Sequence, residues 1–154
     1  MVTEGYMSDV KDAIMTHISQ ADSSLQPKTT HIIGSFEEDI WNLNIDKMPI
    51  VTVRIGPSTD HEVAYGRKIL SNESGIYVSF FFTAHIFHVV SGSGDISKSA
   101  MDLAEKIKTK LLKSDDAVSG IAFYRDIVTR EAKINMHNVN RVVLEGYVFV
   151  KRPL

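Results

Sequence analysis

The chain has 154 residues, 44% of them hydrophobic and 23% charged, and a net charge of -2. Its length suits one domain with a real core, and its balance of residue types is that of an ordinary globular protein. The mild acidity argues against a general nucleic-acid-binding surface, and the absence of cysteine excludes disulfides, thiolate metal sites and cysteine nucleophiles.

Met1 to Asp12 lacks the basic start and apolar core of a signal peptide, so the chain is expected to be made and kept in the cytoplasm unless assembly carries it elsewhere. Ser8 is placed to cap a helix from Asp9 to about Ala21, with Val10, Ile14 and Ile18 on one face. Ser23 to Thr30, with Pro27, reads as a loop, and His31 to Phe36 as a short strand. Phe36 to Met48 reads either as a helical turn or as an irregular loop. Pro49 opens a strand, Ile50 to Ile55, which Gly56-Pro57-Ser58 is expected to end.

His61 to Leu70 reads as the next strand and Ser71 to Gly75 as a turn. The following stretch, Gly75 to Val90, has neither proline nor charge and is rich in aromatic and β-branched residues. That is strand composition, too short and too polar for a membrane helix. Fully extended, it would reach roughly 50 Å, where ordinary strands have about 5–6 residues. Glu62–Leu70 and Ile76–Ala84 therefore pair as a long hairpin. Its bare apolar edge needs a cover, and other copies of the same chain are the expected cover.

Ser91 to Gly94 breaks the strand. Asp95 or Ser97 starts an amphipathic helix carrying Ile96, Ala100, Leu103, Ala104, Ile107 and Leu111. Ile121 to Val128 is a strand, Glu131 to Asn138 a polar loop, and Val139 to Val150 the final strand, ending in a basic tail, Lys151 to Leu154. Helices and strands do not alternate as βαβ units, and no linker divides the chain. The expected fold class is a single α+β domain spanning residues 1–154, a mixed or antiparallel sheet with two main helices packed on it.

No motif nominates a catalytic site. His85 and His88 are three apart and on a strand would face opposite ways, which prevents a shared metal. His31, His61 and His137 have no carboxylate or cysteine at ligand spacing. Glu37-Glu38-Asp39 suits the solvated start of a helix. Gly92-Ser93-Gly94-Asp95 lacks the rest of a phosphate-binding fingerprint. Three consecutive aromatics cannot share one face: with Phe80 and Phe82 inward, Phe81 points out beside Tyr77 and His85, and Phe87 continues that row. An apolar second face of this kind needs a helix or a neighbour over it.

Pro49-Ile50-Val51-Thr52-Val53, the hairpin from His61 to Val90, and the helix Ile96 to Leu112 leading to Glu145-Gly146-Tyr147-Val148-Phe149-Val150 form a layout. It resembles that of the tail terminator (tail completion) proteins of long-tailed bacteriophages and prophages. The likeness runs from about Ile33 onward. It implies a structural virion protein of the tail, made in the host cytoplasm, without enzyme activity, cofactor or metal. Such a protein forms a ring, typically a hexamer, on the last ring of the tail tube protein. It ends polymerisation and presents the surface that joins a head-closure or connector protein. Membrane and nucleic-acid binding are not expected. On this reading the hairpin reaches the next subunit, and Tyr77, Phe81, His85 and Arg67 are the interface candidates.

Three other readings stand beside it. One is a small α+β enzyme or ligand-binding protein, with a pocket near Trp41, His61 and His85. The second is another phage head-tail connector piece. The third is a nucleic-acid-binding module, which the mild acidity disfavours.

Overall fold

A computed structural model describes residues 7–34, 47–65, 75–89, 98–113, 121–132 and 139–153. Helix α1 spans Met7–Ser19 and buries Val10, Ile14 and Ile18, the expected apolar face. It stops at Ser19, short of Ala21. The stretch expected as a loop holds a 3-10 turn at Ser23–Leu25 and a single helical turn, α2, at Lys28–His31. Strand β1 is two residues, Ile32–Ile33. The ambiguous stretch that follows lies largely outside the described residues.

The expected break at Gly56-Pro57-Ser58 is not a strand end. Strand β2 runs unbroken from Ile50 to Tyr65, and the pairing slips between Ile55 and Ser58 instead. A bulge absorbs the unpaired residues and lets the strand continue past a proline. A second slip falls between Asp60 and Ala64. Strand β3, Gly75–Val89, pairs with β2 from Phe87 opposite Ile50 to Gly75 opposite Tyr65. The hairpin is thus longer than expected on its β2 side and takes in the strand after Pro49. Helix α3 spans Lys98–Leu112 and buries Ala100, Leu103, Ala104, Ile107 and Leu111.

Strand β4 spans Ile121–Ala132, so Glu131 and Ala132 belong to it and not to the polar loop. Strand β5 runs from Val139 to Pro153. Lys151 and Arg152 are therefore strand rather than tail, opposite Tyr77 and Ile76. Pairing with a long neighbour supplies backbone partners that the tail composition does not advertise.

The five strands form one sheet in the order β1-β2-β3-β5-β4, with β1 parallel to β2 and every other pair antiparallel. The protein is an α+β fold, with α1 and α3 packed on one face. Val78, Phe80, Phe82, Ala84 and Ile86 of β3 point to the helices, with Val142, Leu144, Val148 and Val150 of β5 beside them.

A buried polar contact joins the layers. His17 Nδ1 of α1 lies 2.7 Å from the Tyr124 hydroxyl of β4. Burial pushes that hydroxyl well above the usual phenol range, so it remains a phenol.

Candidate functional site

Strand alternation sends every second residue of the sheet away from the helices. The register arranges these residues in rows across the strands. Thr52, His85, Val143 and Arg130 form one row. Arg54, Thr83, Glu145 and Val128 form the next. Phe81, Tyr147 and Arg125 follow, and then Ser79, Phe149 and Phe123.

The two ends of this face differ. Ile50, Thr52, His85, Phe87 and Val143 are buried. Further along, Phe81 is 37% exposed, Tyr147 41% and Val128 55%. Phe81 and Tyr147 meet edge to face, their centroids 5.5 Å apart. Phe123 and Phe149 stack at 4.6 Å, and Tyr77 meets Phe123 edge-on at 5.4 Å. Both arrangements suit the ring quadrupole. The result is a continuous aromatic surface, partly open to solvent. Arg54, Arg125 and Arg130 are exposed along it, and Arg130 pairs with Glu145 at 3.5 Å.

A local irregularity shapes the β4 side. Asp126 has φ 55, in the left-handed region, and the register slips between Arg125 and Val128. Gly146 sits opposite: a Cβ there would lie 3.0 Å from Ile127 Cγ1, 3.1 Å from Ile127 Cα and 3.2 Å from the Arg125 carbonyl oxygen. The bulge turns Ile127 to the core and returns Val128 to the open face.

Of the interface candidates, Tyr77, Phe81 and His85 share this face. Phe81 is exposed, Tyr77 half-buried, and His85, at 3%, is enclosed within a single copy. Arg67 lies outside the described residues. Tyr147, Arg125 and Val128 were not among the candidates, since only the pairing register places them beside Phe81.

The other sequence features do not converge. His85 and His88 point to opposite faces. His88 Nδ1 lies 3.1 Å from its neighbour's carbonyl, and His31 Nδ1 lies 2.7 Å from the Pro49 carbonyl. Trp41, His137, Glu37-Glu38-Asp39 and Gly92-Ser93-Gly94-Asp95 lie outside the described residues, as does the His61 side chain. Among the described residues, no three His, Asp or Glu side chains gather as a metal would require. A solvent-open groove between the end of α1 and α3 is lined by Gln20, Ala21, Glu105, Lys106, Thr109, Lys110 and Lys113, on the side away from the aromatic face. No described helix is long and apolar enough to cross a membrane.

No protein-family model matches the chain, and no curated protein matches its sequence.

Proposed function

We propose that this chain is a self-assembling structural protein of the tail-terminator kind, a ring that caps a phage tail tube, ends its growth and offers the joining surface for the head. The observation that supports it is the exposed group Phe81, Tyr147 and Val128 on the sheet face opposite the helices. Large apolar side chains clustered on a sheet face mark a surface that another protein covers. The layout described above supplies the kind of assembly. The role is structural, and the aromatic face is its working surface.

The test is the mass in solution by light scattering across a range of concentrations, with negative-stain images of large species. A closed ring is expected, and Phe81→Asp is expected to abolish it while the far-ultraviolet circular dichroism stays unchanged. A chain that remains monomeric at every concentration overturns self-assembly. A ring that fails to limit tube length in a tail-tube polymerisation reaction overturns the terminator role and leaves assembly standing.

A further inference from the structure

The aromatic face and helix α3 lie on opposite sides of the sheet, and the first exposes arginine and aromatic side chains where the second exposes a methionine beside two carboxylates. On the face, Arg125 is exposed beside Tyr147 and has no ion pair among the described residues. On α3, Met101 is 40% exposed, and Asp102 and Glu105 are exposed within one turn of it. Positions three and four apart share a helix face, so Met101 and Glu105 stand together and Asp102 flanks them. Neither carboxylate has an ion pair among the described residues. Lys106, four residues after Asp102, is drawn aside to Asp22 at 3.3 Å.

We infer that the aromatic face of one copy docks on the first half of α3 of the next, with Arg125 meeting Asp102 and Glu105, and Met101 lying against Phe81 and Tyr147. This rests on the self-assembling reading and names the surface that the face receives. The chemistry is complementary in both terms. A guanidinium pairs with carboxylates through charge-assisted hydrogen bonds, and a thioether packs favourably against aromatic rings.

The polarity of α3 sets the register. After Lys98 at its first position, α3 presents Asp102 and Glu105, and then Lys106, Lys108 and Lys110. An arginine-bearing face is repelled by the second half, and like-charge contacts of this kind exclude the wrong alignment. The two surfaces are different patches on opposite sides of the molecule, so the contact is heterologous. It runs head to tail and closes into a ring where the rotation allows.

The experiment is a charge reversal with mixing, read by light scattering. Arg125→Glu alone and Asp102→Arg with Glu105→Arg alone are each expected to need at least tenfold more protein to assemble. Both sites are exposed, so the far-ultraviolet circular dichroism of each variant should match that of the unmodified protein. An equimolar mixture of the two defective variants is expected to assemble again. In the mixture each reversed face meets a reversed helix, and each unaltered face an unaltered helix. If both variants assemble normally while Phe81→Asp does not, or if the mixture stays unassembled, the α3 contact is overturned and self-assembly stands. If the unmodified chain never assembles, the underlying reading fails first.

Discussion

The Tyr124 hydroxyl and His17 Nδ1, 107 positions apart in the chain, meet at 2.7 Å in the interior and tie α1 to the outer strand of the sheet. Their rings also pack edge to face, 5.8 Å between centroids. Removing one partner leaves the other buried without this bond. Tyr124→Phe should cost about 1–3 kcal/mol, read as a lower urea midpoint at unchanged slope. Replacing both, with Phe at 124 and Leu at 17, should cost less than the sum of the single changes. Additive losses would show that the contact contributes nothing.

The three consecutive phenylalanines give a direct test of the faces. Phe80 and Phe82 are buried against the helices and Phe81 is not. Phe80→Ala and Phe82→Ala should each cost about 3–5 kcal/mol. Phe81→Ala should cost under about 1.5 kcal/mol, because much of its ring already meets solvent or an edge-on neighbour. Equal losses at all three positions in chemical denaturation would contradict the alternation.

The β4 bulge makes two opposite glycine experiments. Gly146→Ala pushes a methyl into the Ile127 backbone, which cannot yield as a side-chain tip can, and should cost about 1–3 kcal/mol. For a chain of this size that is a fall of roughly 2–4 °C in melting temperature per kcal/mol. Asp126→Gly, at φ 55, should be neutral or stabilising, whereas Asp126→Val should cost about 1–2 kcal/mol. A stabilised Gly146→Ala variant would place the bulge elsewhere.

The Asp22–Lys106 pair predicts a small acid-side effect. Desolvation raises the Asp22 pKa, but the Lys106 ammonium at 3.3 Å and hydrogen bonds from Ser24 together hold the carboxyl below its usual value. A carboxylate whose folded pKa is depressed stabilises above its unfolded pKa and loses that contribution as pH falls through the folded one. Lys106 is largely exposed, so Lys106→Met should cost about 0.2–1 kcal/mol near neutral pH, less in high salt, and nothing once Asp22 is protonated. A loss that persists under strong acid would assign Lys106 a packing role instead.

Periodicity revealed what it physically encodes. The inward faces of α1 and α3, the strand character of Gly75 to Val90 and the outward turn of Phe81 all follow from local spacing. Alternation in β5 likewise separates Val142, Leu144, Val148 and Val150 from Arg141, Val143, Glu145 and Tyr147. What spacing does not encode is which strands lie side by side. Tyr147 and Arg125 join Phe81 only through the register of β3 with β5 and of β5 with β4. Turn composition misled at Gly56-Pro57-Ser58, because a long antiparallel partner lets a bulge take up residues that would otherwise end a strand. The basic stretch Lys151-Arg152 misled because β3 is long enough to pair with it in unbroken register. Nor does spacing tell that His85, on the outward row, is enclosed while Phe81, four residues earlier, is open.

The sheet order has a kinetic consequence. β3 finds β2 through a local hairpin, but its other flank waits for β5, which follows α3 and β4 in the chain. Until then the backbone donors and acceptors along Phe80-Phe81-Phe82 lie bare on one side, in the composition that favours cross-β stacking. Long-range pairing of this kind slows folding, since the loop must close before the contact rewards it. The half-zipped sheet is therefore the species most exposed to misassembly, and arrival of β5 is the step that retires the hazard.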